Sequence, residues 1–185
     1  MRVVGGELRG RRLARFRGTS IRPTSDRVRE AVFNVIAARV SPCGLKGVLD
    51  LFAGTGAMGI EALSRGVESA VFVDKSAGAV SVIRRNLEAF GVAARARVIK
   101  AEVKDAVRSL AKVSARFDLI FIDPPYKSSL TEQTLDEIEK AGLLRPGGLI
   151  VAEVSKRAPL EPVERGFRLL DERRYGETLI YFFGL

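Results

Sequence analysis

The stretch Val48-Leu49-Asp50-Leu51-Phe52-Ala53-Gly54-Thr55-Gly56-Ala57-Met58-Gly59 carries an apolar, strand-length run straight into a G-x-G-x-x-G turn. A strand that passes through such a turn into a helix opens a parallel βα unit. The glycines allow a tight reversal and let a ligand approach the backbone beside a helix N-terminus. A unit of this kind does not stand alone, because parallel strands need crossover connections and cover on both faces of the sheet. The rest of the chain is therefore expected to repeat strand and helix.

It does. Ile60–Arg65 continues a helix closed by Gly66, and Ala70–Asp74 predicts a second strand. Ala77–Phe90 predicts a second helix before Gly91, and Arg97–Ala101 a third strand, followed by a helix ending near Lys112. Phe117–Asp123 reads as a fourth strand, whose Leu119-Ile120-Phe121-Ile122 core implies burial on both faces. Glu132–Ala141 reads as helix, and Leu149–Val154 as a fifth strand entered through Pro146-Gly147-Gly148. Phe167–Tyr175 and Thr178–Phe183 form a hairpin about Gly176-Glu177, so the sheet ends with at least one antiparallel strand. Upstream, a helix follows Pro23, capped by Thr24 or Ser25, with Val28, Ala31, Val32, Val35 and Ile36 on one face and its end at Pro42-Cys43-Gly44. Val3-Val4, Gly5-Gly6 and Glu7 to Leu13 read as a small basic β-hairpin arm. We divide the chain into this arm, residues 1–23, and one α/β domain, residues 24–185.

Composition narrows the chemistry. The chain has no histidine, which removes the usual general base, triad partner and commonest metal ligand. Cys43 is the only cysteine, so neither a disulfide framework nor a thiolate metal cluster is expected. Any chemistry must run on carboxylates, backbone groups and a cofactor, with no metal. No signal-peptide core follows Met1, and no apolar run approaches the roughly 20 residues that span a bilayer. A cytoplasmic protein without a membrane partner is the expectation. Residues 1–30 hold nine arginines against Glu7, Asp26 and Glu30, a surplus of six within a net charge of +9. Arginine suits phosphate contacts and base stacking, so Arg9, Arg11, Arg12, Arg22 and Arg27 are candidate nucleic-acid contacts. A solvated basic tail is the plainer alternative.

Asp74, ending the second strand, is placed to accept from both ribose hydroxyls of an adenosine, with Lys75 beside it. Nicotinamide and flavin enzymes share that turn and acid. Asp50 faces the mouth of the turn, where a carboxylate is a poor neighbour for pyrophosphate but a good one for the cationic end of S-adenosylmethionine. Capping backbone amides is its alternative role. Phe52, Ala53, Gly54 and Gly56 line the same turn. Glu102, ending the third strand, is either an acceptor for an adenine amino group or a helix-start acid.

The most specific feature is Asp123-Pro124-Pro125-Tyr126 directly after the fourth strand. Two prolines cannot extend a central strand, so the chain turns sharply beside the crevice at the strand ends. The lone pair of an exocyclic base amine is conjugated with its ring and weakly nucleophilic. A carboxylate and a carbonyl that each accept one N–H, here Asp123 and the Pro124 carbonyl, hold that nitrogen toward an electrophilic methyl group. Tyr126 offers a face for stacking an extruded base, and Lys127 is either a contact to phosphate or part of a solvated loop.

This tetrapeptide resembles the (D/N)PP(Y/F) motif of amino-group methyltransferases. Arg22-Pro23-Thr24-Ser25-Asp26-Arg27-Val28-Arg29-Glu30-Ala31-Val32-Phe33-Asn34, with Arg2-Val3-Val4-Gly5-Gly6 and Arg9-Gly10-Arg11, resembles the RsmD type of bacterial 16S rRNA guanine-N2 methyltransferases. The likeness extends to Asp50 through Gly56 and to Glu61-Ala62-Leu63-Ser64-Arg65-Gly66. It implies a Rossmann-like class I methyltransferase fold with a seven-stranded, mostly parallel sheet. It implies S-adenosylmethionine as methyl donor and a guanine of 16S rRNA as acceptor, within the small subunit or a late assembly intermediate. The Arg22-Pro23-Thr24 segment then borders the methionine end of the cofactor, a contact for Thr24, or guides the flipped nucleotide, a contact for Arg22, with a helix cap and a surface arginine as the alternative; a monomer is a separate expectation. A DNA adenine-N6 methyltransferase, a glutamine-directed protein methyltransferase, a nicotinamide oxidoreductase and a non-catalytic RNA-binding assembly factor are the competing readings.

Overall fold

The computed structural model describes residues 1–14, 25–125, 128–161 and 166–185. The expected contacts Arg22, Thr24, Tyr126 and Lys127 lie outside the described residues. Helix α1 (Asp26–Arg39) leads into strand β1 (Gly47–Leu51), helix α2 (Ala57–Ser64), β2 (Ser69–Asp74) and α3 (Ala77–Phe90). Then come β3 (Ala96–Lys100), α4 (Val103–Lys112), β4 (Phe117–Ile122), α5 (Ser128–Ala141), β5 (Leu144–Ser155), β6 (Arg168–Tyr175) and β7 (Thr178–Gly184).

The seven strands form one sheet in the order β3-β2-β1-β4-β5-β7-β6. Strands β1 to β5 pair in parallel, and β7 runs antiparallel to both β5 and β6. The expected α/β sheet with its closing hairpin is present. Every residue of β1 is buried, and so are all those of β4 except Asp118, because helices cover both faces. Val48, Leu119 and Phe121 pack toward Phe33, Ile60 and Ile83 of the first three helices. Leu49, Leu51, Ile120 and Ile122 pack toward Val107, Leu110, Leu135 and Ile138 of α4 and α5. The chain leaves β1 for β2 and β3 on one side and returns to β4 on the other. The crevice at that reversal, beyond the carboxyl ends of β1 and β4, is where an open α/β sheet receives a ligand.

Two local expectations change, and the N-terminal segment is tied into the fold. That segment folds back on itself through an antiparallel bridge, Arg2 with Arg12, flanked by bonds from Val3 N–H to the Arg11 carbonyl at 3.0 Å and from Leu13 N–H to the Met1 carbonyl at 3.3 Å. Other backbone donors in it go to α2: Val4 N–H to Glu61 Oε2 at 2.8 Å, Glu7 N–H to the Ser64 carbonyl at 2.8 Å and Leu8 N–H to Ser64 Oγ at 2.9 Å. Val3, Leu8 and Leu13 are buried in the core, so this stretch is a packed element. Pro146-Gly147-Gly148 lies inside β5 rather than before it. Pairing there jumps from Phe117–Leu144 to Leu119–Leu149, two steps along β4 against five along β5, and the turn residues are absorbed as a bulge. Helices α2 and α5 each begin several residues before the predicted starts, with Ala57 and Ser128.

Candidate active site

The turn after β1 is tight and left-handed at three positions: Phe52 (φ +58°), Gly54 (φ +55°) and Gly56 (φ +77°). A non-glycine residue held there costs about 1–3 kcal/mol, strain that collects at ligand-binding turns. Hydrogen bonds hold it in place. Ala53 N–H donates to the Val73 carbonyl at 3.0 Å, and Gly54 N–H donates to Asp74 Oδ2 at 2.9 Å. The other oxygen of Asp74 accepts from Ser76 N–H at 2.9 Å, so the acid ending β2 fixes both the glycine turn and the start of α3. Lys75 and Glu102 form an exposed ion pair of 3.3 Å between the ends of β2 and β3. The Glu102 side chain makes no capping bond to α4, whose N-cap it occupies.

Asp50 is 3% exposed and accepts from Gly59 N–H at 2.9 Å. Glycine at residue 59 lets the Phe72 ring approach: a Cβ there would lie 2.4 Å from it. Burial is the chief reason the Asp50 carboxyl is pushed up to about 7; the Gly59 bond opposes this and nearby Asp74 adds to it.

Asp123 follows Ile122, which is in register with Leu51 of β1 and Ala152 of β5. One step further, Asp123 stands level with Phe52 and Glu153. Asp123 stays open to solvent at this edge of the sheet, while the protein around it strips away part of its hydration. Desolvation raises its carboxyl well above the usual range, and the charges of Glu153 and then Asp50 raise it further. Pro124 is buried and Pro125 exposed, as expected of a turn that leaves the sheet. Three carboxylates from β1, β4 and β5 thus converge beside a strained glycine turn. A Cβ added at Gly54 would meet only the Phe52 carbonyl, at 3.9 Å, so space above the turn is open. This donor set fits a ligand with a cationic end and a ribose, and it suits pyrophosphate poorly.

The structure brings Asp50, Phe52, Ala53, Gly54, Gly56, Asp74, Lys75, Glu102, Asp123 and Pro124 to the carboxyl ends of the strands. Arg11 is engaged within the protein. Its guanidinium donates to the carbonyls of Ala89 and of Phe90, the latter at 3.2 Å, and lies 4.6 Å over the Phe90 ring. It closes the C-terminal end of α3, a use a run of basic residues does not reveal. Arg9, Arg12 and Arg27 are exposed. Sequence reasoning misses Asn86. It is 1% exposed, accepts from Ala14 N–H at 2.8 Å and donates to the Thr55 carbonyl at 3.0 Å, tying the N-terminal segment to the glycine turn. The available signal is an amide within the apolar stripe of α3 formed by Val80, Ile83, Leu87 and Phe90. No group of three His, Cys, Asp or Glu placed to hold a metal occurs among the described residues, and no described helix is long and apolar enough to cross a membrane.

The family model described as Conserved hypothetical protein 95 matches residues 1–184. The chain is 38% identical to YlbH of Bacillus subtilis (strain 168) over 178 residues, covering 96% of this chain and 95% of that one. It is 33% identical to Ribosomal RNA small subunit methyltransferase D of Escherichia coli (strain K12), covering 96% of this chain and 86% of the other. The solved structure of a hypothetical protein from Thermus thermophilus superposes with a TM-score of 0.85 at 32% identity, covering 100% of this chain and 99% of that one.

Proposed function

Because the chain belongs to the RsmD-type family of small-subunit rRNA methyltransferases, we propose that it methylates the exocyclic N2 of one guanine in 16S rRNA. The guanine is presented within the small ribosomal subunit or a late assembly intermediate. S-adenosylmethionine supplies a methyl group bound to a sulfonium. Asp50 pairs with the cationic end of that cofactor, Asp74 accepts from its ribose, and Lys75 and Glu102 border its base.

The observation that carries this reading is the seat of Asp123 and Pro124, level with the glycine turn and facing the same crevice. The Asp123 carboxylate and the Pro124 carbonyl each accept one N–H of the amine and so aim its nitrogen at the methyl group. Methylation leaves an extra proton on that nitrogen. The raised affinity of Asp123 for protons suits it to receive this one. Tyr126, by its place in the motif, stacks on the extruded guanine. Arg9, Arg12, Arg22, Arg27 and Lys127 contact RNA; Arg11 supports them from within the fold.

The test is Asp123→Ala. It is expected to bind S-adenosylmethionine as the unsubstituted protein does, in calorimetric titration, and to lose at least 100-fold in single-turnover methyl transfer, roughly the scale of a lost positioning and proton-accepting group. Full transfer by this variant would overturn the assignment.

A further inference from the structure

Helix α3 has two long faces. One is buried through Ala79, Val80, Ile83, Asn86, Leu87 and Phe90. The other bears Ala77, Ser81, Arg84, Arg85 and Glu88 and, with Lys100 at the end of β3, lines a groove of about 430 Å³. Eleven helical steps separate Ala77 from Glu88, so the groove is roughly 17 Å long at 1.5 Å per residue. Its Ala77 end adjoins Ser76, whose N–H is held by Asp74, so it opens beside the crevice.

The charges in this groove have no internal use. Arg84, Arg85 and Lys100 are exposed, and none has an ion-pair or hydrogen-bond partner among the described residues. Glu88, one helical turn beyond Arg84 and Arg85, is not ion-paired with either. Helix dipole compensation does not account for the arginines, because neither lies in the last turn of α3. Three other arginines, by contrast, have internal partners. Arg95 pairs with Glu7 at 2.9 Å, Arg65 with Glu61 at 2.8 Å, and Arg11 closes α3. Three unpaired cations against one acid, along a concave track open at the crevice, are the footprint of a polyanion.

We propose that this groove binds the phosphate backbone of the substrate RNA and guides it toward Asp123. The inference rests on the RNA reading above and assigns that substrate a second contact surface. Three interstrand spacings, roughly 14 Å, separate β3 from β4 along the carboxyl edge of the sheet. A strand leaving the groove crosses that edge over the crevice. The contacts are to phosphate, so they set affinity and salt dependence rather than base choice.

The test compares the unsubstituted protein with Arg84→Ala/Arg85→Ala/Lys100→Ala, and with Arg168→Ala/Arg174→Ala on β6 as a control for lost charge at the opposite edge. Binding to naked 16S rRNA is measured from about 50 to 300 mM salt, and KM is measured with unmodified small subunits. Each phosphate contact to a single strand contributes about 0.7 to the salt slope. The triple variant is therefore expected to lose about 2 from that slope and to raise KM at least tenfold, with S-adenosylmethionine affinity and melting temperature unchanged. The charge-preserving Arg84→Lys/Arg85→Lys is expected to keep the slope. An unchanged slope in the triple variant, or an equal loss in the β6 control, would overturn the proposal. If the unsubstituted protein shows a groove-dependent salt slope but methylates neither RNA nor subunits, the groove stands and the proposed reaction fails.

Discussion

Asp50 links the electrostatics of the crevice to the stability of the fold. Its carboxyl titrates at about 7 in the folded protein and at 3.8 when unperturbed. Between those values the folded state holds a proton that the unfolded chain has released. Stability therefore falls as pH rises through this window and stays reduced above it. The difference is worth about 4 kcal/mol, an upper bound for one buried group. Asp50→Asn, which keeps an acceptor for Gly59 N–H, is expected to be more stable than the unsubstituted protein, by more at pH 8 than at pH 5, in urea unfolding. An unchanged difference between the two pH values would contradict this origin. If Asp50 pairs with the cationic end of the cofactor, binding below pH 7 expels its proton. Affinity should then rise by up to tenfold per pH unit toward 7 and level off above it, and calorimetry in buffers of different ionisation enthalpy reads the released proton. Affinity independent of pH between 5 and 7 would remove Asp50 from that role.

At the scale of elements, the N-terminal segment, α1 and α2 are joined by a buried charge cluster. Arg29 and Glu61 are both 0% exposed with Nε and Oε2 3.5 Å apart. Arg29 also bonds Asp26 at 2.9 Å and the Arg2 carbonyl, while Glu61 accepts from Arg65 and Val4 N–H. Removing one partner leaves a buried charge uncompensated, so Glu61→Gln is expected to cost about 3–5 kcal/mol in urea unfolding. A cost below about 1 kcal/mol would show that the cluster relaxes freely. Gly59→Ala probes the contact between α2 and β2. In an exposed helix this exchange gains up to about 1 kcal/mol, but here the new Cβ meets the Phe72 ring and a loss of about 1–3 kcal/mol is expected. The strands and the closing hairpin are legible in the sequence because runs such as Leu119–Ile122 and turns such as Gly176-Glu177 are local signals. Buried Arg29 is not. It sits in a basic stretch that reads as solvated, and its buried partner Glu61 lies on another helix. Arg11 escapes sequence reasoning for the same reason, since the α3 carbonyls that it closes are distant along the chain.

Over the whole molecule, the alternation of strand and helix predicts a mostly parallel sheet, and the reversal between β1 and β4 places the glycine turn beside the proline corner. Neither motif alone reveals that neighbourhood; the sheet order supplies it. The third carboxylate, Glu153, is legible in the sequence as an acid at the end of the fifth strand near the site; the register of β5 with β4, shifted by the bulge at Pro146-Gly147-Gly148, sets it level with Asp123. The resulting surface has an acidic crevice at the strand ends and a basic flank along α3, an arrangement suited to a cationic donor and a polyanionic acceptor meeting at Asp123. Labelled methyl from S-adenosylmethionine should be followed into small ribosomal subunits lacking the modification, with naked 16S rRNA and duplex DNA in parallel. The proposed reaction puts label in the small subunit, recovered as N2-methylguanine after digestion, and none in DNA. Label in DNA adenine, or no transfer to any of the three by protein that binds the cofactor, would contradict it.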